Sequence, residues 1–382
     1  MIHPLLNEEH NMIRQTVRDF AEREIKPLAR ELDDKAMFST DLTRKMGELG
    51  LLGMTLPEKY GGQNTDTLSY IIAVEELARV DSSQAATLAA HNSLGIRPLF
   101  DFGSEEQKMK YLPKLTTGEF LWAFGLTEPE AGSDSRATKT TAKLENEQWN
   151  INGSKIFITN SSSEMSLGVT VQAVSDIVDG KKIFSTIIVE NGTQGYKAIP
   201  MHDKMMWRAS DTGELYFDDC LVPKANLLGK EGEGSKIMLS TLDNGRLSIA
   251  AMGLGLAQGA YEMALEYSQQ RKQFGKEIGK FQIIAFKLAD MATKIELARN
   301  LLYKACWLKD NKHPYGKEAA MAKLYCSEIA KEVADEAVQI HGGYGLMKDY
   351  PIERFYRDQR LLQIGEGTSE IQRLVISRLI GL

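Results

Sequence analysis

Near the C-terminal end of the chain one glutamate stands between two glycines, in Gly365-Glu366-Gly367-Thr368-Ser369-Glu370. A carboxylate in such a setting has two readings. It is a loop charge in solvent, or it is a general base held by a rigid turn at the edge of a pocket, ahead of a helix capped by Thr368 or Ser369. A second segment, Leu126-Thr127-Glu128-Pro129-Glu130-Ala131-Gly132-Ser133-Asp134, follows an expected strand and is rich in small residues. Its N–H groups and hydroxyls could surround a polar ligand, or it is a surface turn.

Other chemistries find less support. The six histidines do not cluster at metal-ligand spacing, so no metal is expected. No serine sits in a Gly-x-Ser-x-Gly elbow, which leaves hydrolysis without a nucleophile. Gly253-Leu-Gly255 opens like a dinucleotide fingerprint, but the third glycine, Gly259, comes one position late and no strand precedes it. Close helix packing is the better reading of those glycines. Gly229-Lys-Glu-Gly232-Glu-Gly234 lacks the Gly-Lys-Ser/Thr ending of a phosphate loop and reads as a flexible linker. Cys220, Cys306 and Cys326 are too few and too scattered for a disulfide framework, which fits a reduced cytoplasm. The net charge of −6 disfavours nucleic acid as a main partner. No apolar run approaches the ~18 residues of a membrane span, and MIHPLLNEEH has neither the basic nor the apolar part of a leader.

The elements that must position these residues follow a helix–strand–helix order. Helical spacing is expected over residues 8–26, from Asp41 to Gly50, and over 66–79 and 82–102, with a capping box at Ser104/Gln107 opening a helix through Tyr111. From about residue 119 short β-prone segments appear at 138–144, 149–151, 169–173, 183–189 and 214–217. Asn152-Gly153 and Asp179-Gly180 are expected hairpin turns. Long helices are expected over 236–270, 279–310 and 316–341. The order excludes a doubly wound α/β fold. It divides the 382 residues into a helical domain (1–118), a β domain (119–230) and a helical bundle (231–382).

Taken together, three stretches resemble the acyl-CoA dehydrogenase family, most closely its short-chain, butyryl-CoA type. They are Leu126–Asp134, then Arg271-Lys-Gln-Phe274-Gly275 with Phe281-Gln282, then Gln339-Ile-His-Gly342-Gly343-Tyr-Gly345 with Tyr356-Arg357-Asp358 and Gly365–Thr368. The likeness runs along essentially the whole chain in matching order. It implies an α+β fold of N-terminal helical domain, middle β-barrel-like domain and C-terminal four-helix bundle. It also implies FAD as cofactor, an acyl-CoA substrate, an electron-transfer flavoprotein as partner, and a homotetramer, a dimer of dimers, with FAD at a subunit boundary.

Carried over residue by residue, Phe124, Leu126, Thr127, Gly132 and Ser133 line the flavin, with Ser133 also near substrate. Phe157, Ile158 and Thr159 form a second flavin contact; Phe157 replaces the tryptophan frequent in the family. Arg271, Phe274 and Gln282 hold the pyrophosphate and adenosine side, while Gln339, Gly342 and Gly343 reach FAD from a neighbouring subunit. Thr368, Ser369 and Glu370 complete the pocket. Asp243 and Arg246 match CoA-contact positions, and Gly367 lies beside the thioester. Some relatives carry their base on the long helix at the position of Gly245, which here has no side chain. The resemblance therefore makes Glu366 the catalytic base. It would take the α-proton of a thioester whose oxygen is held by the Glu366 N–H and the flavin ribityl group, in a dry site that strengthens the base. Two other readings are an acyl-CoA oxidase, revealed by peroxide under air, and a non-catalytic FAD-binding relative that protects DNA, for which this acidic chain offers no basic patch.

Overall fold

Asn7, Ser39, Asp66, Asp81 and Ser104 each accept the backbone N–H three residues on, and each opens a helix. The computed structural model describes residues 3–382, so the first two residues of the stretch read above for a leader lie outside it. The N-terminal helices are α1 (Glu8–Phe20), α2 (Ala29–Lys35), α3 (Thr40–Glu48), α4 (Thr67–Ala78), α5 (Ser82–Ala90), α6 (Arg97–Phe102) and α7 (Glu105–Thr116). Two expected helices are interrupted. Residues Ala21–Ile25 and His91–Ile96 are π-helical turns, which break the uniform helices expected over 8–26 and 82–102. Helix α7 runs on past Tyr111 through Pro113, which has no N–H to give the Met109 carbonyl and so leaves one helical hydrogen bond unmade.

The strands are β1 (Leu121–Gly125), β2 (Thr141–Glu145), β3 (Gln148–Thr159), β4 (Ser166–Val178), β5 (Lys181–Glu190), β6 (Tyr196–Pro200), β7 (Thr212–Pro223) and β8 (Leu227–Leu228). They form one sheet in the order β6-β7-β3-β2-β4-β5-β8, with β1 parallel to β4. Asp179-Gly180 makes the β4–β5 turn. Asn152-Gly153 does not turn; it lies inside β3, and the β2–β3 hairpin closes at Asn146 and Glu147, both with positive φ. The Asn-Gly signal fails because the strand bulges between Ile151 and Gly153, where the glycine passes within 2.7 Å of the Thr140 Cα were a Cβ present. The Gly229–Gly234 segment is not a free linker either. Its Gly232 N–H bonds the Ser185 hydroxyl at 3.0 Å, and Gly234 packs on the Phe184 backbone.

Helix α8 (Gly234–Gln270) is continuous over 37 residues, about 55 Å at 1.5 Å per residue. A short hairpin, β9 (Lys272–Gln273) and β10 (Lys276–Glu277), leads to α9 (Gln282–Asp310), α10 (Gly316–His341), α11 (Ile352–Leu362) and α12 (Ser369–Leu379). Helices α8, α9 and α10 pack along one another, and α4, whose every residue is buried, packs on α8 and α9. The α8 glycines make these contacts possible: a Cβ on Gly253 would meet the Cys326 carbonyl at 2.7 Å, and one on Gly255 the Glu75 carbonyl at 2.1 Å. Among the described residues the three cysteines are free and buried, no group of side chains is arranged to hold a metal, and no helix is long and apolar enough to cross a membrane.

Candidate active site

Glu366 adopts φ +51° and Gly367 φ +88°, two consecutive left-handed residues between α11 and α12. For a glutamate this conformation costs roughly 1–2 kcal/mol, so neighbours must impose it. They do so through its carbonyls. The Lys323 ammonium, from the buried face of α10, donates to the Gly367 carbonyl at 2.7 Å. The Gln372 amide, from α12, donates to the Gly367 and Glu366 carbonyls at 3.0 and 3.2 Å. Thr368 caps α12 by accepting the Ile371 N–H at 3.3 Å, while Ser369 is buried and Glu370 faces solvent.

The turn aims the carboxylate at α8. A Cβ built on Gly245 would lie 1.7 Å from Glu366 Oε2 and 3.1 Å from Leu94 Cδ2, so the carboxylate occupies the space a side chain at 245 would take. Oε2 is buried and accepts no hydrogen bond. Burial pushes the carboxyl up to about 7, against the pull of the nearby Lys323 and Arg246 cations. Arg246 is itself buried and paired with Asp243, one turn back on α8. The Asp243 carboxyl is raised by burial although Arg246 opposes this. Among the described residues the Glu366 N–H bonds no other group of the chain, which leaves a donor free beside a base. A carboxylate with a raised proton affinity, desolvated and without a partner, is suited to removing a proton from carbon.

The second predicted segment folds against the end of β3. The Ile156 N–H donates to the Thr127 carbonyl at 2.9 Å, which sets Leu126–Ser133 beside Phe157, Ile158 and Thr159. The β3–β7 register slips between Lys155 and Ile158, and Phe157 takes φ +63° with its ring 62% exposed. A bulge of this kind re-aims one side chain of a strand. Phe124 and Ile158 are buried beneath, Leu126, Thr127 and Thr159 are half-buried, and Gly132 and Ser133 are exposed. A Cβ on Gly132 would touch nothing within 4 Å. An aromatic wall, three hydroxyls and open loop backbone match a planar heterocycle with polar edges, so the residues present fit a flavin.

Two charged groups brace that loop and escaped the sequence reading. The Glu128 carboxylate accepts from the Lys139 N–H (2.6 Å), the Thr140 N–H (3.0 Å) and the Lys155 ammonium (2.8 Å), and Lys155 also donates to the Leu126 carbonyl at 3.1 Å. Both side chains are buried. Burial takes the Lys155 ammonium down to about 8, with Glu128 opposing. The legible signal was Lys155 inside an alternating strand, two positions before the exposed Phe157. Lys323 had a comparable signal: it sits among Ala319, Ala320 and Cys326 on the apolar face of α10.

The remaining predicted residues gather elsewhere. Arg271 follows α8, and its guanidinium lies 5.6 Å from the Tyr344 ring centre; Tyr267 stacks on His341 at 4.4 Å. Arg271, Phe274 and Gln282 therefore lie at the same end of the bundle as Gln339, Gly342 and Gly343. Phe274 is 94% exposed with φ +50°, and Gly342 and Gly343 are exposed. Along α8 this end is 26 residues from Gly245, about 39 Å at 1.5 Å per residue, farther than a flavin dinucleotide reaches. The Tyr356-Arg357-Asp358 motif is a joint between domains: Arg357 binds Asp33 at 2.6 Å, and Asp358 accepts the Trp207 N–H at 2.8 Å. A charged cleft of about 240 Å³ near Asp33, Arg79 and Arg354 lies 14 or more residues along α8 from Gly245, and its charges largely pair with one another.

Comparison with known proteins bears on the same residues. Models of the N-terminal, middle and C-terminal domains of acyl-CoA dehydrogenases match residues 7–119, 123–220 and 232–381. The chain is 47% identical to the short-chain specific acyl-CoA dehydrogenase of Clostridium acetobutylicum, over 97% of this chain and 98% of that protein. It superposes on butyryl-CoA dehydrogenase from Megasphaera elsdenii with a TM-score of 0.96 at 43% identity, covering all of both chains. A chain solved in work on the electron transferring flavoprotein of Acidaminococcus fermentans also gives 0.96, at 47% identity and full coverage of both. The chain belongs to the acyl-CoA dehydrogenase family.

Proposed function

We propose that this acyl-CoA dehydrogenase, whose cofactor is FAD, oxidises a short acyl-CoA thioester to its trans-2-enoyl-CoA, with Glu366 as the catalytic base. The observation that carries the reading is the buried, partnerless Glu366 Oε2 seated on Gly245. Glu366 takes the α-proton, and its own N–H is free to hold the thioester oxygen as negative charge develops there. One such donor is worth roughly 3–4 kcal/mol where measured. Arg246, with Asp243 beside it, sits one residue from Gly245 to meet the CoA end, and Gly367 flanks the thioester. Thr127, Ser133, Phe157 and Thr159 hold the flavin ring, and Thr368 to Glu370 close the pocket beside the base. Hydride acceptance, which no side chain provides, is what FAD supplies when bound.

A short acyl chain is favoured by the similarity to proteins named for short-chain and butyryl substrates. Electron transfer to an electron-transfer flavoprotein is supported by the full-length likeness to the Acidaminococcus fermentans chain. The 39 Å between Gly245 and Arg271 supports a site shared between copies of the chain, as in a dimer of dimers.

Anaerobic titration of the yellow protein with a panel of saturated acyl-CoAs tests the proposal. Butyryl-CoA should bleach the flavin, and Glu366→Gln should bind FAD yet leave it oxidised; normal bleaching by that variant would place the base elsewhere. Peroxide release under air at a rate matching bleaching would favour an oxidase.

A further inference from the structure

Lys323 is fully buried, flanked on α10 by Ala319, Ala320, Ala322 and Cys326, where an apolar side chain would pack without desolvating a charge. A buried ammonium costs several kcal/mol unless something holds it. What holds it is the turn that carries the base: among the described residues the ammonium's one hydrogen bond is to the Gly367 carbonyl, at 2.7 Å. The Glu366 carboxylate acts on it through charge, without an ion pair within 4.0 Å among the described residues, and the Glu366 Oε2 has no hydrogen-bond partner there. Building on the reading of Glu366 as base, we infer that Lys323 is its positioning residue, fixing the left-handed Glu366–Gly367 turn through the Gly367 carbonyl and setting, through its charge, how readily the carboxylate gives up its proton.

The surroundings make Lys323 the main lever. Facing Glu366 are Arg246, with Asp243, from α8 and Tyr70 from α4; facing Lys323 are Arg246, Glu328 on α10 and Glu370 on α12. Arg246 already has a carboxylate partner in Asp243, and Glu370 is exposed. Of the two cations lowering the proton affinity of Glu366, Lys323 acts more strongly. Burial takes the Lys323 ammonium itself down to about 8, with Glu366 opposing. Gln372 shares the Gly367 carbonyl but carries no charge, so the two contributions of Lys323 are separable.

The test is the pH dependence of flavin bleaching by butyryl-CoA in the FAD-loaded protein, followed over roughly pH 5.5–9. Lys323→Met should move the midpoint of the rising limb upward by about one unit, so that bleaching below the midpoint slows about tenfold more than bleaching above it. Lys323→Gln, which keeps a donor but no charge, should move it likewise. Gln372→Met should slow bleaching with the midpoint unmoved. A midpoint in either neutral Lys323 variant coincident with that of the parent overturns the inference, even if flavin content and melting temperature fall. Glu366→Gln run in parallel separates the two claims: if that variant bleaches normally the base itself is misassigned, and if it is inert while the Lys323 variants keep the parent profile, only the role of Lys323 fails.

Discussion

The carboxyl of Glu366 is held near 7 by burial, against an ordinary value of 4.5, and that has a thermodynamic counterpart. Folding raises its proton affinity, so the stability linked to this group is present in full below about pH 4.5 and is lost as pH rises through 7. At pH 8 the native state carries the burden of a desolvated charge, up to about 3 kcal/mol for a shift of this size. Glu366→Gln removes the charge and should melt at a higher temperature than the parent at pH 8. The gain should shrink to nothing as pH falls to 4.5. It is capped because Lys323 loses its opposing carboxylate in the variant. Thermal melts of the two FAD-loaded proteins at both pH values check this; equal melting at pH 8 would mean the carboxylate is solvated. On the proposed reading of Glu366 as base, stability is spent here on reactivity.

At the scale of elements, the long helix works because it lacks side chains where others cross it. Gly255→Ala would drive a methyl to within 2.1 Å of the Glu75 carbonyl on α4. That carboxylate-bearing turn is already committed, since Glu75 binds Arg299 at 3.1 Å and the Tyr303 hydroxyl at 2.5 Å. We expect a loss of about 1–3 kcal/mol of stability, the usual range for an overpacked core, read as a lower melting temperature. The glycine periodicity of α8 announced this crossing, and hydrophobic spacing made the helix–strand–helix order legible, though not the short strands β6 and β8 or helix α11. Sequence periodicity did not announce the π turns at Ala21–Ile25 and His91–Ile96, because an extra residue in one turn leaves the apolar pattern nearly intact. Nor did it place the β2–β3 hairpin, where a bulge absorbed Asn152-Gly153 and residues less suited to positive φ made the turn. Glu366 and the Leu126–Ser133 loop were visible as segments with two readings each. Lys323, Gln372 and the Glu128–Lys155 pair went unread because most of what they hold is backbone, and the trace they leave is slight: for Lys155 and Lys323, a charged residue on an otherwise apolar face.

For the whole molecule, the decisive length is the run from Gly245 to Arg271. If each cofactor is gripped by the Glu366 end of one chain and the Arg271 end of another, two defective chains can repair each other. Arg271→Ala should weaken FAD retention while leaving Glu366 intact, and Glu366→Gln should do the reverse. Co-expressed from one cell, the pair should yield bleaching that neither variant shows alone, because a mixed assembly contains sites built from two unaltered halves. Absence of rescue in assemblies verified as mixed would assign Arg271 to its own chain. The same geometry governs inheritance. A chain damaged at the Arg271 end exports its defect across the contact, spoiling a cofactor whose carboxylate belongs to a healthy copy. In a cell bearing one sound and one faulty gene, each faulty chain disables one site whichever end is damaged, so the number of working sites is the same; what differs is whose carboxylate is stranded, a neighbour's for a lesion at Arg271 and the chain's own for one at Glu366.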